Sequence, residues 1–246
     1  MVNRNGYIGN VPQQDSLTGN KGVFSVNDYS IEKRRDNIKT VNLPPSFSGK
    51  SLRFYYDASQ EQSYGGSGNT WTDLSGGNNH ATLYNPSYTS GASSGNPSYF
   101  TLTSSFYINA GSVLTSNLTM FWVMQTTDTQ SLMVHDGNSD YLGAYRSGNK
   151  YYHSGVSGNR QIYVDGVGKS NLYDTIRGST SKSTIISDCD FGWSTYQFSN
   201  YTGYKFDTNG KLYAMGAYTG NLSSTDASDL HSFFNDMGYT GIWVGF

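Results

Sequence analysis

Apolar and polar residues alternate over short stretches along most of the chain, with the period expected of β-strands. Aromatic and β-branched residues fill these stretches, and glycine, asparagine and serine separate them, as in sheets joined by tight turns. The pattern predicts strands over residues 51–57, 99–102, 106–108, 118–125, 132–135, 141–145, 150–153, 161–164, 183–186, 190–193 and 211–218.

Two further patterns refine the β architecture. In residues 211–218 both alternating sets of side chains are largely apolar or aromatic, so we expect both faces of that strand to be covered. Asp165-Gly166 and Asn209-Gly210 are typical of hairpin turns, because a positive φ is least costly at Asn, Asp and Gly. Many short strands between glycine-rich turns favour an all-β sandwich.

One helix is predicted near the C-terminus. Ser223 or Ser224 can cap its first turn, and Gly238 is a natural C-terminal stop. The apolar residues at helical spacing share one face: Ala227, Leu230, Phe233, Phe234 and Met237.

A pair of prolines separates this β-rich body from an N-terminal arm. Pro44 and Pro45 fix φ and favour extended geometry, so residues 41–48 are predicted to form a linker. The division predicts an extended arm and linker over 1–48 and the sandwich over 49–246. The arm has little capacity for a core of its own. Its one helical stretch, 25–36, is too short to be stable unless it docks on a surface.

Charge and cysteine content exclude several classes of protein. The formal net charge is −2 and charged residues make up 14% of the chain. The chain therefore lacks the excess of basic residues expected of a protein that binds nucleic acid. Cys189 is the only cysteine, so no intrachain disulfide can form, and we expect it to be a small buried hydrophobe. The first residues lack the apolar core of a secretory signal, and the longest apolar run, 120–124, is too short to span a bilayer. We therefore expect synthesis in a cytoplasm, no signal peptide and no membrane insertion.

The polar motifs mostly predict structural roles. Residues 136–140, Asp-Gly-Asn-Ser-Asp, have the oxygen spacing that begins a calcium loop, but Tyr141 and Ser147 replace the expected Gly and Glu, which favours a plain turn. Asp73 is predicted to pin its Gly/Asn-rich loop by accepting backbone N–H bonds. The histidines show no metal-ligand spacing: His80, His135, His153 and His231. We expect no metal and no cofactor.

An aromatic stretch over residues 191–204 is the predicted glycan platform. Flat rings stack on sugar faces, and nearby Asn, Gln and Ser can bond to hydroxyls. The candidate residues are Trp193, Tyr196, Tyr201 and Tyr204. The alternative is that these rings line the sandwich core or a subunit contact, where Tyr and Trp are also enriched.

Four segments in order resemble the concanavalin A-like, laminin-G-like jelly-roll domains. They are Phe54-Tyr-Tyr-Asp57 with Thr70-Trp-Thr-Asp-Leu-Ser-Gly76, Leu118-Thr-Met-Phe-Trp-Val-Met124, Ile162-Tyr-Val-Asp-Gly166, and Gly210-Lys-Leu-Tyr-Ala-Met-Gly-Ala-Tyr218 with the helix that follows. The resemblance implies a jelly-roll β-sandwich that either binds carbohydrate or cleaves it.

The glycan-cleaving members of that superfamily use two carboxylates, which in the glucanases are glutamates close together on one strand. This chain has two glutamates, Glu32 and Glu61, far apart in sequence. The resemblance therefore implies a protein that is not an enzyme. A glycan-cleaving enzyme stays open as a third hypothesis through Asp188 and Asp190, which would face the same side of a strand.

The arm carries a second resemblance. Gly22-Val23-Phe24-Ser-Val-Asn-Asp28 followed by Arg34-Arg35-Asp36-Asn37 resembles a short motif near the N-termini of virion proteins of tailed phages. The resemblance implies docking on the virion, with these candidate residues: Val23, Phe24, Arg34, Arg35 and Asp36. Ion pairs with acidic groups of a protein partner suit the two arginines.

Together the two resemblances predict a non-enzymatic structural protein of a phage virion. It would be a capsid decoration protein, a head fibre or a tail-associated (tail-fibre-like) component, assembled in the bacterial host cytoplasm. Its partners would be other virion proteins and copies of itself, most naturally in a trimer, since virion parts sit on symmetric lattices. The alternative is a carbohydrate-binding adhesin that recognises host-surface glycans.

Overall fold

The structure, a computed structural model, describes residues 41–91, 96–110, 118–125, 132–135, 141–145, 150–154, 162–164, 166–169, 197–198, 200–201, 204–205, 210–239 and 243–245. In several of the shorter strands only the course of the backbone is described. Within these ranges no helix is long and apolar enough to cross a membrane.

Short antiparallel strands make up about half of the described chain. In chain order they are β1 (Leu52–Asp57), β2 (Thr70–Trp71), β3 (Ala81–Tyr84), β4 (Tyr88–Thr89), β5 (Tyr99–Thr101), β6 (Tyr107–Asn109), β7 (Leu118–Gln125), β8 (Leu132–His135), β9 (Tyr141–Tyr145), β10 (Lys150–Ser154), β11 (Ile162–Val164), β12 (Val167–Lys169), β13 (Gln197–Phe198), β14 (Asn200–Tyr201), β15 (Tyr204–Lys205), β16 (Lys211–Thr219) and β17 (Trp243–Gly245).

These strands form two large sheets. The first has the order β12-β11-β17-β7-β16-β5-β4, and β1 also pairs with β16. The second has the order β10-β9-β8-β13-β6-β3-β2, while β14 and β15 pair with each other. One helix, α1 (Ser224–Asp236), follows β16. The predicted all-β sandwich with a short C-terminal helix is confirmed.

The central strand β16 has apolar neighbours on both faces. Seven consecutive residues of it are buried, as the sequence predicted. Side chains on one face join a core with residues of the second sheet, including Trp71, Leu83 and Ile108. Side chains on the other face join a second cluster that α1 covers. Glycine is required at Gly216, because an added Cβ would meet the ring of Phe121 and the backbone of β1.

The helix begins and ends where the sequence indicates. Ser223 is its N-cap, and it forms a reciprocal capping box with Asp226. Gly238 has a φ of 85° just beyond the last turn, a conformation that favours glycine. The predicted apolar face lies on the first sheet: Ala227, Leu230 and Phe234 are buried, and Phe233 and Met237 are partly buried.

One of the two predicted hairpins is confirmed and the other is wrong. Gly166, with a φ of 75°, lies between the antiparallel strands β11 and β12. In the described residues β16 instead pairs with β1, β5 and β7, and not with the strand before it. The backbone carbonyl of Gly210 accepts a hydrogen bond from the Leu102 N–H at 2.8 Å, so Gly210 continues a ladder and does not form a hairpin turn.

The proline pair is packed against the sandwich. The chain divides into two units, Met1–Asn42 and Leu43–Phe246. Within the second unit Pro44 is buried, the Tyr218 hydroxyl donates to the Pro45 carbonyl at 2.7 Å, and the rings of Phe47 and Tyr218 lie 5.0 Å apart. The point at which the chain enters the sandwich is therefore fixed by hydrogen bonding and ring packing.

Candidate functional site: a tyrosine-floored cleft

An open cleft of about 600 Å³ lies between the turn after β1 and the ends of β4 and β5. Its lining is polar and aromatic: Ser59, Glu61, Tyr64, Gly65, Gly66, Tyr88, Ser90, Gly91 and Ser98. We call it the tyrosine cleft. Sequence reasoning missed it, because its residues come from separate, individually unremarkable turns.

Two tyrosine rings form the floor of the cleft. The rings of Tyr64 and Tyr88 lie 5.0 Å apart at 56° to each other. Both pack on Phe100, at 4.8 and 5.6 Å, and Phe100 packs on Trp71 in the core. Tyr64 is buried and Tyr88 is half-buried, so Tyr64 anchors the floor from below and Tyr88 offers the ring surface to the cleft.

Hydrogen bonds join the two walls. The Ser98 N–H donates to Ser59 Oγ at 2.9 Å, and the Gly91 N–H donates to Ser98 Oγ at 2.9 Å. The Tyr88 hydroxyl donates to the Ala58 carbonyl at 3.3 Å. The Ser59 hydroxyl also donates to the Ser98 carbonyl at 3.5 Å, so of its one proton and two lone pairs one lone pair is left to accept a hydrogen bond from a ligand.

A buried carboxylate fixes the wall that follows β1. Asp57 is fully buried, and its Oδ2 accepts from the Tyr55 hydroxyl at 2.8 Å and from Gln60 Nε2 at 3.0 Å. Its Oδ1 accepts from the Tyr239 hydroxyl at 2.6 Å and from the Ser59 N–H at 2.8 Å. Burial raises the pKa of Asp57, and these hydrogen bonds oppose the rise.

The backbone of residues 57–64, which we call the Asp57 turn, is held as well. The Asp57 N–H donates to Ser63 Oγ at 3.1 Å, and that hydroxyl donates to the Thr72 carbonyl at 2.8 Å. The Tyr64 N–H donates to the Gln60 carbonyl at 2.9 Å. This turn carries Ser59, Glu61 and Tyr64, so the buried carboxylate positions one whole wall of the cleft.

Asp73 has the structural role that the sequence predicted. Its Oδ1 accepts from the backbone N–H groups of Tyr55 at 3.0 Å and Ser75 at 2.8 Å, and its Oδ2 accepts from that of Asn79 at 2.9 Å. The Asp73 N–H donates to His80 Nδ1 at 3.1 Å. We call residues 73–79 the Asp73 loop. It contributes no residue to the tyrosine cleft.

A second aromatic feature lies on the outer face of the other sheet. Tyr84 on β3 and Tyr107 on β6 are directly opposite in register, with ring centroids 4.1 Å apart and planes at 7°. Tyr84 is 38% exposed. The alternation in Ala81–Tyr84, which is buried at Ala81 and Leu83 only, was a strand signal that the sequence analysis passed over.

Most of the residues singled out from the sequence lie outside the described residues. Tyr201 on β14 and Tyr204 on β15 are paired in register, and only their backbone is described. Outside lie Trp193 and Tyr196, the docking candidates Val23, Phe24, Arg34, Arg35 and Asp36, the 136–140 motif, and Asp188, Cys189 and Asp190. The roles proposed for them stay predictions. In the described part of the chain no three His, Cys, Asp or Glu residues come together as a metal site.

No protein-family model matches the chain, and no curated protein matches it. Among solved structures it is similar to domain 4 of AbnA, an extracellular GH43 arabinanase from Geobacillus stearothermophilus, in complex with arabinotriose. Identity is 14%, the TM-score is 0.47, and the match covers 74% of this chain and 98% of that one.

Two other structures are comparably similar. Trypanosoma rangeli sialidase matches at 14% identity and a TM-score of 0.47, over 90% of this chain and 42% of that one. The binding domain of botulinum neurotoxin serotype D matches at 12% identity and a TM-score of 0.46, over 74% of this chain and 51% of that one. The chain thus spans less than half of the sialidase. With TM-scores below 0.5, these likenesses carry no argument about what this chain does.

Proposed function

We propose that the protein binds carbohydrate in the tyrosine cleft without cleaving it. The observation that carries this proposal is the combination of a tyrosine floor with a rim of serine hydroxyls and one carboxylate. The C–H face of a sugar packs on aromatic rings, while its hydroxyls need donors and acceptors around the edge. Small-molecule sites commonly combine apolar surface with a few placed polar groups in this way.

The carboxylates around the cleft favour binding over hydrolysis. Glycosidases use two carboxyl groups, about 5 Å apart in retaining and about 6.5–9.5 Å apart in inverting enzymes. Among the described residues that line the cleft, Glu61 is the one carboxylate. Asp57 lies buried behind the wall, where four donors already occupy its oxygens.

A glycan screen with a blocked cleft tests the proposal. An added Cβ at Gly65 would meet nothing within 4 Å, and the residue has no positive φ, so Gly65→Trp can fill the cleft without backbone strain. Ser232→Trp, on the exposed side of α1, is the matched control. We expect wild type and Ser232→Trp to bind the same glycans and Gly65→Trp to lose them. Equal binding by all three proteins would place the glycan site elsewhere, and no binding by wild type would refute the function.

The aromatic stretch predicted from the sequence is a second location for the same function. Trp193→Ala and Tyr196→Ala test it beside Gly65→Trp. If the cleft is the site, these two variants keep full affinity. If they lose binding while staying as stable as wild type, the platform at 193–204 is the site.

A second candidate function is that of a phage virion component, and it is supported by the resemblance of the arm and by the fixed entry of the chain at Pro44–Phe47. In this proposal residues 1–42 dock on other virion proteins, and the sandwich projects outward as a homo-oligomer, most naturally a trimer. A truncated chain that begins at Leu43 keeps the packed prolines, so it should fold as wild type does and fail to join particles. Assembly as efficient as that of the full chain would refute docking by the arm.

A further inference from the structure

We propose that the protein binds an extended β-1,4-linked pyranose chain along a surface that runs from the tyrosine cleft to Tyr84, where a second aromatic contact is made. This inference rests on the proposed function, since it names the class of glycan that the cleft takes. It assigns Tyr84, Thr82 and Thr70 to a second sugar-binding position, which we call the Tyr84 subsite.

Tyr84 presents an aromatic face on the outer side of the second sheet. One face of its ring is covered by Tyr107, at 4.1 Å between centroids and 7° between planes, and the side chain is still 38% exposed. On the other side of β3 lies β2, and continuing the β2–β3 register places Gly68 opposite Tyr84. Glycine has no side chain to cover the second face of the ring, so Tyr84 is supported by Tyr107 and open towards the loop that contains Gly68.

Two threonines supply polar groups beside this ring. Thr82 lies two residues from Tyr84 on the same strand, so both side chains are on the same face of the sheet. Thr70 is directly opposite Thr82 on β2, and both threonines are exposed. Ring surface with neighbouring hydroxyls is the same combination that favours sugar binding in the tyrosine cleft.

A short loop, residues 65–69, leads from the cleft to the Tyr84 subsite. Gly65 and Gly66 line the cleft, and all five residues of the loop are exposed. An added Cβ at Gly65 or Gly68 would meet nothing within 4 Å. The loop reads Gly-Gly-Ser-Gly-Asn, so it has no bulky side chain that would keep a sugar chain from crossing it.

Hydrogen bonds fix the C-terminal end of this loop to the cleft floor and to β3. The Tyr64 hydroxyl, in the cleft floor, donates to the Gly68 carbonyl at 2.9 Å. The Leu83 N–H, next to Tyr84 on β3, donates to the Asn69 carbonyl at 2.7 Å. The cleft and the Tyr84 subsite are therefore held at a constant spacing.

That spacing suits a chain of a few sugars. Tyr88 of the cleft floor follows Tyr84 by four residues, so their Cα atoms are at most about 14 Å apart. In a β-1,4-linked chain of glucose, xylose or N-acetylglucosamine the linkages are equatorial, so the chain is extended and can place one ring on Tyr88 and a later ring on Tyr84. The second contact should raise affinity roughly fivefold, which corresponds to about 40 Å² of apolar surface removed from water.

Calorimetric titration of the full-length protein with β-1,4-linked oligomers of glucose, xylose and N-acetylglucosamine, from two to six units long, tests the subsite. In the series that binds, Tyr84→Ala should weaken the hexamer about fivefold and leave the dimer, which fills the cleft alone, within about twofold of wild type. Tyr84→Phe keeps the ring and should bind as wild type does. Longer chains also bind in more registers, so wild type and variant are compared at the same chain length.

Tyr107→Ala is the matched control, because it breaks the same ring pair from the side that faces away from the loop. It should leave the affinities for dimer and hexamer within about twofold of wild type. Equal weakening of the hexamer by Tyr84→Ala and Tyr107→Ala would show that the ring pair only supports the sheet. Equal weakening of dimer and hexamer by Tyr84→Ala would show an effect on the cleft itself. Either result, or an unchanged hexamer affinity in Tyr84→Ala, overturns the inference.

Gly65→Trp separates this inference from the proposed function, because it should abolish binding of dimer and hexamer alike. If it does so while Tyr84→Ala binds the hexamer as wild type does, the subsite fails and glycan binding in the cleft stands. Binding of another glycan in the cleft but of none of these three series also overturns the inference. If the screen finds no glycan at all, the proposed function fails and this inference fails with it.

Discussion

The Asp57 turn and the Asp73 loop are each held by a buried aspartate, but the two aspartates accept hydrogen bonds from different kinds of donor. Each follows a strand of the sandwich, and in each a buried aspartate accepts several hydrogen bonds. Asp73 accepts mainly from nearby backbone N–H groups, those of Tyr55, Ser75 and Asn79. Asp57 accepts mainly from side chains, and one of them, Tyr239, is 182 residues away in sequence.

The Asp73 loop is therefore held mainly by local contacts, whereas the Asp57 turn also depends on a contact with a distant part of the chain. The Asp73 loop closes on itself and on β1, and it contributes nothing to the tyrosine cleft. The Asp57 turn is tied to the chain beyond α1 and bears one wall of the cleft. Changes in the first should therefore affect stability alone, whereas changes in the second should affect stability and glycan binding together.

The largest expected effect is that of Asp57→Ala. It leaves two buried phenol hydroxyls, the Gln60 amide and the Ser59 N–H without their acceptor, and each such group costs about 1–3 kcal/mol when it stays buried. We expect the free energy of unfolding in urea to fall by about 3–5 kcal/mol, with glycan affinity lost in the protein that remains folded. A loss below about 1 kcal/mol would mean that the turn does not depend on this carboxylate.

Asp73→Ala should cost less, about 2 kcal/mol, because only the Tyr55 N–H lies deep in the sandwich while the rest of the loop can turn to water. The same urea titration measures this loss. Glycan affinity should stay within about twofold of wild type, since the loop does not line the cleft. A tenfold loss of affinity in a folded Asp73→Ala protein would contradict the separation of the two regions.

The pH dependence of stability should carry a signature of Asp57. Burial raises its pKa, so between the ordinary aspartate value, about 4, and the raised value the folded chain holds more protons than the unfolded one. This contribution is fully present below about pH 4 and is lost as the pH rises through the raised pKa. Relative to Asp57→Asn, which cannot titrate, wild type should lose stability as the pH rises through that window.

Asp226 makes the stability of the fold change with pH in the opposite direction. Burial alone would raise its pKa, but hydrogen bonds from Ser223 and Lys50 outweigh that effect and lower it, so its contribution is lost as the pH falls. Because Asp226 is present in both proteins, its effect cancels when wild type is compared with Asp57→Asn. Identical pH profiles for the two proteins would show that the pKa of Asp57 is not raised by folding.

The smallest effect on stability is expected for Glu61→Gln. Glu61 shares the turn with Asp57 but is exposed, and substitutions at exposed positions usually change stability by less than about 0.5 kcal/mol. Its thermal unfolding midpoint should match that of wild type. A clear drop in the midpoint would show that Glu61 supports the turn as well as facing the cleft.

The same contrast explains which features of the structure could be predicted from the sequence alone. Strong periodicity predicted Leu118–Gln125, Leu132–His135 and Tyr141–Tyr145 with their observed bounds, and local chemistry predicted the Ser223 cap and the Asp73 loop. These features depend on residues close together in the chain. A carboxylate that accepts hydrogen bonds within its own loop can be recognised from the residues of that loop.

The tyrosine cleft depends on contacts that no local pattern contains. Tyr64, Tyr88 and Phe100 meet only when the Asp57 turn and the β4–β5 hairpin are folded against the core. The Asp57–Tyr239 hydrogen bond closes across 182 residues. The one local signal was Asp57-Ala-Ser59, where an aspartate at the end of an apolar strand accepts from the N–H two residues on. That this turn lines a cleft could be recognised only from the folded structure.

Nuclear magnetic resonance titration of the protein with the glycan that binds best tests the central claim most directly, because it monitors both regions in one experiment. The account predicts that the amide signals of Gly65, Gly66, Gly91 and Ser98 move with the added glycan, while those of Ser75 and Asn79 in the Asp73 loop stay in place. Signal changes confined to the Asp73 loop or to residues 193–204, with the cleft amides unmoved, would contradict it.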